Sequence, residues 1–353
     1  MTMRSAVAAV LLAVAWVAAA EPFVYPEAHW EKVADPATAG WSKAGLETFR
    51  NELAQTKTAG LVVVHAGRVI FEYGDVSSAR VVASVRKSLL SVLYGNYVAA
   101  GKINLDATLA GLGIDDIGGL SDKEKQATVR DLLEARSGVY HAASNSGDDS
   151  AHAPPRDSQA HGTYFLYNNW DFNALGTIFE QQTGRNIYDA FETDLARPLS
   201  MEDFDRAAQK KSGNRSKSMH PAYHIRISPR DLARVGYLML REGNWAGKQV
   251  VPRGWVKEST HLVTPASQMN TPAARRGPLG YAYLWWVWDK PWATGPFAGA
   301  YTAHGLGGQH LSVLPALDIV VAHETPGSER NTHAEFWRLL ETLARAKCKN
   351  TPC

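Results

Sequence analysis

Runs rich in β-branched residues stand near both ends of this 353-residue chain, and helix patterns fill the space between them. Near the start, Leu61-Val62-Val63-Val64-His65 and residues 68–73 flank the pair Ala66-Gly67, which predicts a hairpin. Strand patterns return at residues 283–288, 309–314 and 318–323, and residues 336–346 close the chain with a helix. Residues 42–53 read as an amphipathic helix. From about Val85 to Thr260 (boundaries good to a few residues) helix signals dominate. Thr128-Val129-Arg130-Asp131 opens one helix, residues 172–183 end another at Gly184, and Ser228-Pro229-Arg230-Asp231 supplies an N-cap, a first-turn proline and an acidic third position. This order predicts an α/β protein whose antiparallel sheet is assembled from distant segments and flanked by the terminal helices, with a mainly helical domain inserted. The expected division is a discontinuous sheet domain, 21–83 and 280–347, an inserted domain, 84–279, and a tail, 348–353. A cleft belongs where the two domains meet, and Ser84 falls at that junction.

The N-terminus carries a separate message. Met1-Thr2-Met3-Arg4 precedes an Ala, Val and Leu run over residues 6–20, with small residues at Ala18 and Ala20. That is the pattern of a cleavable signal peptide, 1–20, so the mature chain is expected to begin at about Glu21 and to be periplasmic or secreted. The run is too short for a comfortable span, and no cysteine beside it could accept a lipid, so no stable membrane anchor is expected. Cys348 and Cys353 are the only cysteines; in an oxidising compartment they suit a small tail disulfide, while a zinc site lacks further ligands. With 37 basic against 35 acidic residues there is no global field for a polyanion. The densest basic segment, 210–217, has no aromatic residue for base stacking and reads as a solvated loop, which excludes a nucleic-acid partner. A polar stretch, 141–162, predicts a long functional loop. Its histidines, His141, His152 and His161, fit no compact ligand spacing, so no metal is expected. Nothing in the sequence specifies an oligomeric state.

The chemistry concentrates at Ser84-Val85-Arg86-Lys87. A hydroxyl and an amine three residues apart share a helix face at the start of an apolar stretch. Partial desolvation there lowers the ammonium pKa, and the neutral amine can then take the serine proton. Two Y-x-N tripeptides follow. Tyr94-Gly95-Asn96 lies on the same predicted helix, roughly 15 Å along its axis from Ser84 at 1.5 Å per residue, and cannot join the site. Tyr167-Asn168-Asn169, ahead of a helix from about Trp170, can fold back over it. With Leu132-Leu133-Glu134-Ala135-Arg136-Ser137-Gly138 and Gly305-Leu306-Gly307-Gly308-Gln309, these segments make the chain resemble the class C β-lactamase-like serine hydrolases. That family includes penicillin-binding proteins, DD-peptidases, D-aminopeptidases, carboxylesterases and nylon-oligomer hydrolases. The resemblance covers nearly the whole mature chain and implies the β-lactamase/DD-peptidase-like fold. It makes Ser84 the nucleophile, gives Lys87 and Tyr167 the proton transfers, has Asn169 orient the lysine and substrate, and requires no cofactor.

The resemblance fails at the third element. Relatives carry K-T-G or H-T-G on the strand edging the cleft; here the region reads Tyr301-Thr302-Ala303-His304-Gly305-Leu306-Gly307-Gly308. Either His304 fills the lysine position, which puts Leu306 where the glycine belongs, or Leu306-Gly307-Gly308 is the matching triplet. The second register is preferred because it keeps Gly308 in place, and it leaves His304 as either a core or a cleft residue. An oxyanion would be held by N–H groups from Ser84 and from a strand over residues 305–309. Of Trp285, Trp286, Trp288 and Trp292, sheet core is the favoured reading and a substrate-stacking wall the other. The expected substrate is a small ester, amide or peptide. The alternatives are a β-lactamase or D-amino-acid peptidase (DD-carboxypeptidase), a catalytically silent cell-wall-peptide binding protein and, outside the resemblance, a carbohydrate-binding protein using its tryptophans. Retention of Ser84, Lys87, Tyr167 and Asn169 together argues against a silent protein.

Overall fold

The computed structural model describes residues 23–327, 331–348 and 353. The inferred signal segment lies outside them. Thr56 and Thr58 lead from a first helix, α1 (Lys43–Leu53, N-capped by Ser42), into the hairpin β1 (Gly60–His65) and β2 (Arg68–Gly74). Helix α2 (Val85–Ala99) follows, then, after a long irregular stretch, α3 (Asn169–Thr183) and α4 (Pro229–Leu240). The C-terminal part is a meander, β3 (Leu279–Tyr281), β4 (Trp286–Trp288), β5 (Tyr301–Gly305), β6 (Gln309–Leu314) and β7 (Ile319–Glu324), ending in α5 (His333–Ala346).

All seven strands form one antiparallel sheet in the order β2-β1-β7-β6-β5-β4-β3. The first hairpin therefore joins the last strand, with Gly60 opposite Glu324 and His65 opposite Ile319. Both faces are covered, which is why the central strands read as continuous apolar runs. Leu61 and Val63 point to one face, where α1 and α5 pack through Leu46, Phe49, Phe336, Leu339, Leu340 and Leu343. Val62 and Val64 point to the other, against Leu232, Val235 and Leu238 of α4. Each such side chain contributes about 1.5–3 kcal/mol when fully buried. Gly236 lets α4 lie this close: a Cβ there would sit 2.4 Å from Val320 and 2.7 Å from Leu311.

Helix α2 is buried on nearly every side from Val85 to Gly95, as befits a helix at the centre of the molecule. Its polar groups are tied to neighbours: Ser88 donates to the Leu284 carbonyl at 2.6 Å, and Trp255 donates to the Ser91 carbonyl at 2.7 Å. Tyr94 donates to the Leu175 carbonyl at 2.6 Å, deep in the core.

Several expectations need correction. Residues 283–288 are not one strand. Ala282 to Trp285 make a buried turn, with Leu284 at φ 64°, and only Trp286–Trp288 is strand. The turn holds Leu284 in position to receive Ser88, so aromatic and aliphatic residues stand where turn residues are usual. Residues 306–308 are likewise a turn joining β5 to β6, with Gly307 and Gly308 at φ 87° and 101°. Part of the basic segment is ordered: Lys210–Ser212 pairs with Ala222–His224, and Lys211 bonds Glu180. The tail cysteines are joined, and Cys353 donates its N–H to the Ala37 carbonyl.

Candidate active site

Ser84 occupies the N-cap of α2, a position where serine usually accepts a hydrogen bond from the helix N-terminus; here it makes no such bond. The turn before it is unusual, with Ala83 at φ 45°. Behind that turn runs β5: a Cβ on Gly305 would lie 2.5 Å from the Val82 carbonyl oxygen, so only glycine allows the strand to back the Ser84 turn.

One helical turn on, Lys87 is 1% exposed. Its Nζ donates to the Tyr167 hydroxyl at 2.7 Å and lies 4.0 Å and 4.3 Å from the ring centres of Tyr167 and Phe172. Burial holds its pKa well below the usual lysine value, with the adjacent Arg86 adding to the fall, against Asp148 and Asp149, which raise it. Burial raises Tyr167, and contact with the Ser84 side chain and the charge of Arg86 oppose this. The three side chains thus form a line from hydroxyl to phenol to amine, with the amine suited to receive a proton.

Ser84 and Tyr167 open on a cavity of about 390 Å³. One wall is aromatic. Trp286 stacks on His304 at 5.2 Å between ring centres, His304 on His333 at 4.6 Å, and Trp337 lies 4.8 Å from His304. His304 is buried, its Nε2 has no hydrogen-bond partner, and burial with the neighbouring His333 holds its pKa well below the usual histidine value. Leu306 stands at the rim, 58% exposed, and Leu279, Pro278 and Ala274 complete the apolar lining. The opposite lip is the long loop, which brings Gly147, Asp148 and Asp149 to the cavity. The Asp149 N–H donates to the Tyr167 carbonyl at 2.9 Å, fixing the lip to the site. Asp148 accepts from the Asn169 N–H at 2.9 Å and from the Ser150 hydroxyl at 2.7 Å. No hydrogen bond or ion pair engages the Asp149 carboxylate among the described residues, and burial raises its pKa. No lysine or arginine lines the cavity among the described residues.

The model of the Beta-lactamase family matches residues 47–344. The chain belongs to that family. A curated relative of this Beta-lactamase-family protein, the 6-aminohexanoate-dimer hydrolase of Paenarthrobacter ureafaciens, is 26% identical over 301 residues, covering 78% of this chain and 74% of its own. Among solved structures it is similar to a penicillin-binding protein homolog from Caulobacter crescentus (TM-score 0.65, 16% identity, 89% of this chain and 98% of that one). It is also similar to a family VIII carboxylesterase (TM-score 0.63, 13% identity, 90% and 99%). These likenesses show the β-lactamase/penicillin-binding-protein fold.

Within this Beta-lactamase-family chain, Ser84, Lys87 and Tyr167 meet, and His304 and Leu306 reach the cavity. Asn169 does not. Its Nδ2 donates to the Ser146 carbonyl at 3.0 Å, its Oδ1 has no partner among the described residues, and it makes no hydrogen bond to Lys87. Gly307 and Gly308 lie behind the rim, where the Gly307 carbonyl accepts from Thr325 at 2.8 Å and from the Asn331 N–H at 2.9 Å. The tryptophans divide. Trp285 and Trp288 are buried, Trp286 lines the cavity, and Trp292 is 44% exposed. Two of the loop histidines point elsewhere: His141 bonds the Ile117 carbonyl and His161 the Lys123 carbonyl. Among the described residues no group of three or more His, Cys, Asp or Glu is arranged to hold a metal ion. Asp149, His333 and Trp337 were not legible as site residues. Only the position of the loop between Ser84 and Tyr167 hinted at the first of them.

Proposed function

We propose that this protein is an exported serine hydrolase that cleaves small esters or amides through an acyl-enzyme. Ser84 Oγ attacks the substrate carbonyl carbon while its proton passes to the Tyr167–Lys87 pair. The oxyanion is held by the N–H groups of Ser84 and Leu306, neither of which donates to another backbone acceptor among the described residues. Collapse breaks the bond to the leaving group, which takes the proton held by the pair and departs as alcohol or amine. Water then attacks the acyl carbon, gives its proton to the same pair, and releases the acid as the proton returns to Ser84.

The observation that carries this reading is the 2.7 Å bond between a fully buried lysine, without an ion-pair partner among the described residues, and the phenol beside an uncapped N-cap serine. Treatment with a fluorophosphonate followed by mass spectrometry tests it. The adduct is expected on the Ser84 peptide, with turnover lost in Ser84→Ala; an adduct elsewhere, or none on active protein, rules it out.

The cavity also bears on substrate class. A carboxylate-bearing substrate, such as a penicillin, would meet Asp149 and find no lysine or arginine among the described lining residues. A neutral substrate loses nothing, and one carrying an amine gains a partner at Asp149. The relative's name specifies a dimer of an amino acid, and a linear dimer of that kind carries a free amine as well as a carboxylate; the amine is the end that Asp149 suits, so amides and esters of amino-substituted acids are the favoured substrates. Nitrophenyl esters of matched chain length, ending in amino, methyl or carboxylate groups, should rank in that order of kcat/KM; carboxylate first would overturn the preference. Export rests on the Arg4 and 6–20 pattern, and N-terminal sequencing of the protein recovered from a periplasmic fraction tests it by reading Glu21 or a near neighbour.

A further inference from the structure

The mechanism leaves one buried ion without a task. Arg86 is 3% exposed and directly precedes Lys87. Its Nη2 donates to Asn173 Oδ1 at 2.9 Å, its guanidinium lies 4.2 Å over the Tyr223 ring, and its Nη1 is buried with no partner. No carboxylate pairs with it among the described residues. Asn173 and Phe172 come from α3, Tyr223 and His224 from the Ala222–His224 strand, and Tyr188 from the helix Ile187–Phe191. Burying a cation among neutral groups is costly, and a site that needed only volume would be served better by methionine or leucine. Arginine is also the one side chain that cannot escape the cost by losing its proton. A permanent charge has been placed next to a lysine whose work requires it to be uncharged.

Resting on the acyl-enzyme reading above, we propose that Arg86 is a positioning residue for proton transfer, a fixed positive charge that keeps the Lys87 amine unprotonated and favours the Tyr167 phenolate. The groups facing Lys87 are Tyr167 and Phe172 from one side and Asp148 and Asp149 from the loop. The two carboxylates work against the amine, and Arg86 is the charge that opposes them. Its influence has the required direction on both partners, lowering Lys87 and lowering Tyr167.

The test is the pH dependence of kcat/KM for a short-chain nitrophenyl ester in the wild type, Arg86→Lys, Arg86→Gln and Asn173→Asp. Arg86→Gln should move the acid limb to higher pH by about one unit or more. Its deficit should be at least about tenfold near pH 6.5 and shrink toward alkaline pH. Arg86→Lys, which keeps a charge, should restore the wild-type limb. Asn173→Asp keeps the arginine but gives it a counter-ion, and should move the limb in the same direction as Arg86→Gln; it decides the matter if Arg86→Gln does not fold. A deficit equal at every pH, or an unmoved limb in Asn173→Asp, would overturn the proposal. Fluorophosphonate labelling of Ser84 is read in parallel, so failure of the hydrolase reading shows as a missing adduct and failure of the Arg86 role as an unmoved limb.

Discussion

Lys87 is held by the rings of Tyr167 and Phe172 and by the Tyr167 hydroxyl, with no carboxylate in hydrogen-bonding reach among the described residues. Lys87→Arg should therefore not rescue what Lys87→Ala loses, because a guanidinium stays protonated and cannot act as a base. Both variants should lie at least about a hundredfold below the wild type in kcat on a nitrophenyl ester. Near-wild-type turnover by Lys87→Arg would make the lysine a structural cation instead. At the rim, Leu306→Lys adds a charge where a β-lactam carboxylate would lie. At about 4 Å and partial screening that is worth a few kcal/mol, or roughly a hundredfold in acylation. Chromogenic cephalosporin acylation should rise by that order while ester turnover stays level or falls; a wild type that already hydrolyses the cephalosporin as fast as its best ester would refute this. Ser84 and Lys87 could be read from sequence because i and i+3 share a helix face, and Tyr167 because axial rise disqualifies Tyr94. Asp149, His333 and Trp337 could not, since tertiary folding alone brings them to the cavity and no local spacing records it.

Strand β5, between β6 and β4, couples the sheet to the Ser84 turn through a single missing side chain. Gly305→Ala would put a Cβ 2.5 Å from the Val82 carbonyl and push the strand and turn apart. The expected result is about 1–3 kcal/mol of lost stability together with at least a tenfold fall in kcat, read by thermal melts and ester turnover. Gly236→Ala, equally crowded but outside the cavity lining, should lose stability and keep kcat; equal kcat losses in the two would mean the effect is not local to the site. Helix starts were the most legible elements, because caps are local chemistry. Thr128 with Asp131, and Ser228 with Pro229 and Asp231, form the caps that their sequence announces. The turns at 282–285 and 306–308 were misread for the converse reason. One is apolar because it is buried against α2, and the other carries glycines that match a strand motif in relatives.

Across the whole molecule, His304, His310, His323 and His333 are packed between the sheet and α5, and burial lowers the pKa of each, His323 from 6.5 to about 4. The unfolded chain binds more protons than the folded one in that window, so stability is retained above about pH 6.5 and falls as pH drops toward 4. His323 alone accounts for up to about 3 kcal/mol of that fall. Melting temperatures at pH 7.5, 6 and 5 should decline in order, and a flat series would show that these histidines titrate normally. Pairing Gly60 with Glu324 bears on time as well as on space. The N-terminal hairpin and the C-terminal meander stay separate until β7 joins them, and such distant pairing is slow to form. A growing chain therefore carries Ser84 and Lys87 without the finished sheet beside them until β7 has been made, and the pair gains its complete surroundings late.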